Sequence, residues 1–292
     1  MKQKRGLILI NAYSNLPHAL NQSQRIKEEL EALGAQADVR RNNFFPAIID
    51  NGGTIARAVE NYDFCVYLDK DKYVSQMLEK TGLRLFNPHA AVQACDDKMT
   101  TAVLLAGHVP MPKTIPSPLC YDAQEPVSEA AVSRIEAELG YPLVVKTSYG
   151  SLGKGVFKAE NRKELQALCE RFKCVPHLFQ RFVRESFGRD MRIIVIGGKT
   201  VAAMVRQSEN DFRSNIELGG TGTAVAPPCE VQQMCETAAR VLELDYCGID
   251  VLFEKNGYSI CEVNSNAFFG GIEKVTGANV ARRYAEHILK NV

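Results

Sequence analysis

Short apolar runs alternate with amphipathic stretches through the first ninety residues. Leu7 to Asn11 reads as a buried strand, and Ser23 to Leu33 places Ile26, Leu30 and Leu33 at helical spacing before Gly34 stops the helix. Ala37 to Arg41 predicts a second strand, followed by a loop and a helix near Thr54 to Glu60. Phe64 to Leu68 predicts a third strand, Val74 to Lys80 a helix, and Leu83 to Phe86 a fourth strand. Strands and helices in this alternation predict βαβ units and a small parallel sheet. The first turn, Ala12 to His18, lacks the glycines that would let a pyrophosphate approach the backbone, which argues against NAD.

From Pro88 the pattern changes. Asp96-Asp97-Lys98 opens a helix running through Leu105 to Gly107, its acidic first turn matched to the helix dipole. His108 to Pro118, rich in proline, reads as a stiff extended linker rather than a strand or helix. A helix over Ser128 to Leu139 ends at Gly140. An apolar strand from Tyr141 then delivers Lys146 to a loop containing Gly150, Gly153 and Gly155, and Val156 to Lys158 starts the next strand. Further on come a helix (Arg162 to Phe172), a strand (His177 to Val183), and a hairpin from Asp190 to Gln207 turning at Gly197-Gly198. A polar loop holds Asp211 to Asn215 and Gly219-Gly220. A helix over Val231 to Leu244, two apolar strands (Gly248 to Phe253, Tyr258 to Val263) and a last helix (Val280 to Lys290) complete the reading.

At 292 residues and 46% hydrophobic, the chain can hold one large or two to three small domains with sizeable cores. A net charge of +1 offers no electrostatic reason to expect nucleic acid or membrane as a partner. No apolar run approaches the length of a membrane span, and the first residues lack the apolar core and cleavage site of a signal peptide. Nine cysteines without a CxxC pair read as reduced thiols of a cytoplasmic protein, and five scattered histidines signal no zinc site.

The chemistry concentrates between Cys247 and Glu273, where two apolar strands each carry a carboxylate. A three-residue loop, Lys255-Asn256-Gly257 with Gly257 in the left-handed conformation, sets Glu254 against Tyr258 and Asp250 opposite Glu262, with Asn264 on the same face. A two-residue Asn256-Gly257 turn would instead throw Asp250 onto the other face. Two carboxylates and an amide oxygen suit magnesium, which borrows further ligands from phosphates. Without a cation they would repel, and one would take up a proton. The plainer reading is solvated charge on an edge strand, against which Ile249, Val251, Ile260 and Val263 argue for burial. The Gly150 to Gly155 loop can crowd backbone amides onto phosphate oxygens beside Lys146, or serve only as a turn. It is not a P-loop, because no GK[ST] leads into a helix.

Taken in order, a lysine on a helix, a lysine before a glycine flap, a hinge strand, paired arginines and D…E-x-N resemble the ATP-grasp superfamily. VVKTSYGSLGKGV, GRDMRIIVIGGKTVAAMVR, DFRSNIELGG, GIDVL and EVNSNAFFGGIEKVTG are similar to blocks of its RimK-type branch, the alpha-L-glutamate ligases. The likeness covers Pro88 onward well and the first ninety residues in outline. It implies an ATP-grasp fold of the α/β (α+β) class with an N-terminal Rossmann-like domain: 1–92 as the pre-ATP-grasp βαβ domain, 93–180 carrying the flap, and 181–292 carrying the metal site.

The resemblance also implies residue roles. Lys98 and Lys146 would contact the phosphates of ATP, under a flap containing Gly150, Ser151, Gly153, Lys154 and Gly155. Main-chain groups of Gln180, Arg181 and Phe182 would hold adenine, and Glu185 the ribose. Asp190, Arg213 and Ser214 would belong to the nucleotide site, with Arg192, Arg206, Arg213 and Asn215 facing the reacting phosphate and carboxylate. Asp250, Glu262 and Asn264 would hold two magnesium ions, replaceable by manganese, with Glu262 bridging them. The chain departs from the branch at Arg181, where an acidic residue is usual, and at Asn266-Ala267-Phe268-Phe269, which replaces a small residue, proline and glycine beside the acceptor site. Its N-terminal region carries no transferable acceptor residue.

The activity so implied is an ATP-dependent carboxylate-amine ligase. A carboxylate becomes an acyl phosphate, metal and basic residues spread the phosphoryl charge, and an amine attacks while the flap excludes water. The amine expected is an acidic amino acid, glutamate, joined to a small molecule or peptide terminus. Arg192, Arg206 and Arg213 supply charge beyond what ATP and one carboxylate need, leaving one for a second carboxylate or for pairing with Glu209 or Asp211. A kinase-like ATP-grasp acting on a hydroxyl, or a nucleotide-binding regulator without turnover, are the alternatives. Intact Lys98, Lys146, Asp250, Glu262 and Asn264 argue against the regulator. The sequence is compatible with a monomer or an oligomer.

Overall fold

The computed structural model describes residues 3–214 and 219–292. Its first part runs β1 (Arg5–Ile10), α1 (Pro17–Ala32), β2 (Gln36–Arg41), β3 (Ala47–Ile49), β4 (Ile55–Arg57), β5 (Phe64–Leu68), α2 (Lys72–Lys80) and β6 (Arg84–Phe86). Four of these strands form the expected parallel sheet, in the order β2-β1-β5-β6. The chain steps from β1 to β2 on one side and later returns to β5 on the other, so the winding reverses between β1 and β5. Around Thr54 there is no helix. Gly52-Gly53 turn an antiparallel hairpin, β3 to β4, with the Asp50 carboxylate accepting the amide N–H groups of Gly52 and Thr54 at 2.9 Å each. This turn chemistry overrides the weak helical spacing that follows it.

The second part comprises α3 (His89–Asp96), α4 (Lys98–Leu105), β7 (Thr114–Pro116), α5 (Glu129–Leu139), β8 (Leu143–Thr147), β9 (Val156–Ala159), α6 (Arg162–Phe172) and β10 (His177–Arg181). The helix expected to open at Asp96-Asp97-Lys98 is α4, which Asp97 caps by accepting from the amides of Met99 and Thr100, and α3 is an additional helix before it. Ser128 and Asn161 cap α5 and α6 in the same way. The antiparallel sheet has the order β7-β10-β8-β9. Its edge strand β7 lies within the segment expected to be only a linker, Thr114 pairing with Gln180 and Pro116 with Leu178. An edge strand has one unpaired side and so accommodates proline.

The third part holds β11 (Arg189–Ile196), β12 (Lys199–Gln207), β13 (Thr221–Ala224), α7 (Cys229–Val241), β14 (Tyr246–Glu254), β15 (Gly257–Asn264), α8 (Gly270–Thr276) and α9 (Val280–Lys290). Its sheet order is β13-β12-β11-β14-β15. β13 and α8 carry no periodic signal, the first being Thr-Gly-Thr-Ala and the second starting on two glycines.

The carboxyl-terminal helices fold back onto the parallel sheet. One core unites Ile8, Ile26, Leu30 and Phe64 with Ile194, Tyr246, Phe269, Tyr284 and Ile288. The buried Asn87 side chain accepts the Tyr246 amide at 2.9 Å and donates to the carbonyls of Tyr246 and Ser265 at 2.8 Å each. These three bonds, made in a low-dielectric interior, fix the third sheet against the first. The carboxyl ends of β1 and β5 therefore face the β14-β15 hairpin across a cavity. No helix among the described residues is long and apolar enough to cross a membrane.

Candidate active site

The β14-β15 hairpin is the centre of that cavity, and its register arises differently from the sequence expectation. Glu254 pairs with Gly257, so the connection is the two residues Lys255-Asn256 rather than three. Continued evenly, this register would set Asp250 against Cys261. A register shift between Asp250 and Val251 instead leaves Cys261 as an extra residue, after which Asp250 faces Glu262, Ile249 faces Val263 and Gly248 faces Asn264. Gly257 has the expected left-handed φ, +102°. The paired carboxylates are thus as anticipated, but an irregularity at Cys261 produces them, not the loop length.

Asp250 is 5% exposed and heavily compensated. Arg192, its neighbour on β11, donates through Nε to one carboxylate oxygen and through Nη2 to the other, the latter at 2.9 Å. Arg206 on β12 reaches Asp250 at 2.9 Å and also donates to Asp190 through Nε at 2.8 Å. Burial pushes the Asp250 carboxyl up, but Arg192 and Arg206 outweigh it and hold it below the usual carboxylate range. Asp190, buried more than its partner Arg206 compensates, stays above that range. Arg192 and Arg206, two of the three arginines expected to face phosphate, therefore line the cavity while their guanidinium groups are engaged with Asp190 and Asp250. Arg213 pairs with Asp211 at 2.7 Å, and its Nη1 donates to the flap carbonyl of Gly153, also at 2.7 Å.

Glu262 is less committed, with the Lys98 ammonium 3.7 Å away. Lys98 donates to the Gly150 carbonyl at 2.8 Å, and burial lowers its pKa. Lys146, 6% exposed, donates to Cys261 Sγ at 3.3 Å, and burial raises the pKa of that thiol. Asp250, Glu262 and Asn264 all line the cavity. Arg192 donates to both oxygens of Asp250 and the Arg206 guanidinium lies 2.9 Å from one of them, leaving Glu262 and Asn264 as the more available donors. Among the described residues no three His, Cys, Asp or Glu side chains converge on a closed metal cage. The donor set fits a magnesium ion that fills its shell with water and phosphate oxygens.

The cavity measures about 980 Å³. At one end lie Lys146, Ser151 and Gly153 of the flap, Gln180, Arg181 and Phe182 of the hinge, and Asp190, Arg213 and Ser214. Lys98 lines a small adjoining cavity with Lys146, Gln180 and Glu262. Gly150, Lys154 and Gly155 sit in the flap outside the cavity lining, although Gly155 is sterically required. A Cβ there would meet Thr147 Oγ1 at 2.0 Å. Glu185 is exposed and does not line the cavity, whereas Ser186 beside it does. Arg181 turns to Glu254 at 2.8 Å. Asn215 lies outside the described residues. Phe212 lines this end with its ring 6.1 Å from that of Phe182, an aromatic wall that the polar context of DFRSN does not announce.

The other end is made of residues with no motif: Asn11, Ser14, His18 and Asn21 around the β1-α1 turn, Asp69 and Lys70 after β5, and the loop Asn266 to Phe268. Arg41 Nη1 holds the β1-α1 turn by donating to the carbonyls of Asn11, Ala12 and Ser14 at 3.2, 3.0 and 2.7 Å. The rings of His18 and Phe268 stand 5.2 Å apart, and Gln22 donates to Asn266 at 3.3 Å. Both contacts join α1 to the loop that departs from the RimK pattern.

Residues 95–288 match the family model of the RimK-like ATP-grasp domain. The chain belongs to this family. It is 36% identical over 229 residues to human N-acetylaspartylglutamate synthase A, an alignment covering 77% of this chain and 57% of that protein. To the probable alpha-L-glutamate ligase of Psychromonas ingrahamii it is 32% identical over 287 residues, covering 94% of this chain and 93% of the relative. The chain spans little more than half the length of the first curated relatives it matches. Among solved structures, ATP-grasp ligase PsnB complexed with minimal precursor superposes with a TM-score of 0.72 at 20% identity, over 99% of this chain and 100% of that one. D-alanine–D-alanine ligase from Bacillus anthracis complexed with ATP gives 0.74 at 15% identity, over 98% and 96%. The sheets of this RimK-like protein thus compose an ATP-grasp fold.

Proposed function

We propose that this RimK-like protein is an ATP- and magnesium-dependent carboxylate-amine ligase that activates a carboxylate as an acyl phosphate and joins it to the α-amino group of glutamate. The observation that carries the reading is the pairing of Asp250 with Glu262 on the cavity wall, flanked by Lys98 and Lys146, with open space beyond for two further substrates. Glutamate is the common part in the names of the relatives, N-acetylaspartylglutamate synthase, β-citrylglutamate synthase and alpha-L-glutamate ligase.

In this reading Phe182, Phe212 and the Gln180 strand receive the adenine, and Lys98 and Lys146 receive the phosphates under the flap. Arg213, bonded to the Gly153 carbonyl, steadies the closed flap, which keeps water from the acyl phosphate. Glu262, Asn264 and Asp250 would hold magnesium, which would supply charge neutralisation to the transferring phosphoryl group. Arg192 and Arg206 keep Asp250 ionised and in place, which makes them positioning residues in this arrangement. The division of labour follows 1–92 with the acceptor wall, 93–180 with the flap, and 181–292 with the metal hairpin. Nine free thiols accord with a cytoplasmic setting.

The test incubates the protein with Mg-ATP, hydroxylamine and a panel of carboxylates including N-acetylaspartate and citrate, identifies the hydroxamate, and then measures ADP release across amino acids. We expect one carboxylate to be trapped and glutamate to be the preferred amine. Preference for a neutral or basic amino acid would overturn the donor, and phosphorylation of a hydroxyl would establish the kinase alternative instead.

A further inference from the structure

Asp69 is a carboxylate on the cavity wall that the chemistry above does not use. It follows β5 as Asn11 follows β1, so both stand at the carboxyl ends of the two strands between which the parallel sheet reverses its winding. That crevice is where open α/β sheets take ligands. Both residues line the cavity that holds the Asp250-Glu262 hairpin.

Asp69 is 8% exposed, and every donor it meets is neutral. Its oxygens accept from the Asn11 amide at 3.2 Å each, from Asn42 at 2.7 Å and from the Lys70 backbone N–H at 2.7 Å. The Lys70 ammonium turns away to Asp96, 2.8 Å distant. Among the described residues no Lys, Arg or His nitrogen lies within 4.0 Å of the Asp69 carboxylate. These hydrogen bonds orient the group without neutralising it, and a buried carboxylate lacking a cation is costly. Of the other acids of the cavity, Asp190 and Asp250 are matched by arginines, and Glu262, with Lys98 3.7 Å away, is the one assigned above to magnesium. Around Asp69 the wall is Asn11, Ser14, Asn21, Asn266 and His18, with Lys70 as a charged neighbour whose ammonium is paired to Asp96. A bound cation is what this end lacks, and an amine substrate arrives as one.

Resting on the ligase reading, we propose that Asp69 receives the ammonium group of the amine substrate and thereby selects a free α-amino acid at this end of the cavity. A purely structural Asp69, tying Asn11 to Asn42, would show no dependence on the charge of the ligand.

The experiment compares wild type with Asp69→Asn, which keeps the size, and Asp69→Glu, which keeps the charge. Each, saturated with Mg-AMPPNP, is titrated with L-glutamate and with glutarate, its analogue without the amino group. Wild type should prefer L-glutamate about tenfold or more, as a charge-assisted hydrogen bond allows. Asp69→Asn should lose that preference with AMPPNP affinity and melting temperature unchanged, and Asp69→Glu should retain part of it. In turnover, Asp69→Asn should form hydroxamate with hydroxylamine, largely uncharged at neutral pH, at the wild-type rate. Its KM for L-glutamate should rise about tenfold or more at constant KM for ATP. Equal losses with both nucleophiles, an unchanged KM for L-glutamate, or a wild type that binds the two ligands alike would overturn the inference. Failure of the wild type to form any hydroxamate would instead overturn the ligase reading, and this assignment with it.

Discussion

The two ends of the cavity differ in how their charge is balanced. At the flap end Lys98, Lys146 and Arg213 gather around a glycine loop, and each buried carboxylate nearby is held by a guanidinium group. At the far end the wall is amides, a hydroxyl, the His18-Phe268 ring pair and Lys70, whose ammonium is paired to Asp96, with Asp69 uncompensated. A surplus of positive charge suits a triphosphate, whereas a neutral wall with one unmatched carboxylate suits a smaller, amine-bearing molecule. Between them, Glu262 stands with only a distant lysine, free to serve a metal.

The sharpest way to break this comparison is Glu262→Gln. It preserves volume and hydrogen bonding but removes the charge proposed to hold magnesium, so ADP release at saturating magnesium should fall about 10²-fold or more with the melting temperature unchanged. A wild-type rate would remove Glu262 from the chemistry.

A second break, read in stability rather than turnover, is Arg206→Ala. Asp190 and Asp250 would be left buried with Arg192 as the remaining cation, and breaking a buried ion pair from one side costs about 3–5 kcal/mol. Denaturant unfolding reads this directly, and a variant within about 1 kcal/mol of wild type would mean that the network carries little net energy.

The smallest effect should follow Phe268→Ala, which removes one ring of the pair closing the far end. Its KM for the carboxylate or amine substrate should change about three- to tenfold while the KM for ATP stays constant. A parallel change in both would show that the two ends do not act separately.

Much of the scaffold was readable from local pattern. Arg162 to Phe172 is helical over the expected bounds, with Asn161 as its cap, and the β-α alternation of the first ninety residues does form a parallel sheet. The five motif blocks fall within the segment that matches the RimK-like family. Signals that live within a few residues, such as caps, glycine turns and apolar periodicity, act the same way whatever surrounds them. The β3-β4 hairpin escaped because its turn outweighed a weak helical pattern, and β7 because a proline-rich edge strand exists only once β10 is there to pair with it.

The site shows the same division more finely. Sequence alone placed a carboxylate, Asp250 and Glu262, on each of two apolar strands, where paired charges call for a cation. Packing decided that Arg192 and Arg206 are the cations for Asp250, since which side chains meet across three strands depends on register. That register turns on Cys261, one extra residue whose placement no neighbouring residue type encodes. The far wall, drawn from Asn11 to Asn21, Asp69 and Asn266 to Phe268, has no sequence signal because its parts are neighbours only after α8 and α9 fold back onto the first sheet. A charge such as Asp69 acquires its meaning from the partners it ends up without, and only the folded chain decides those.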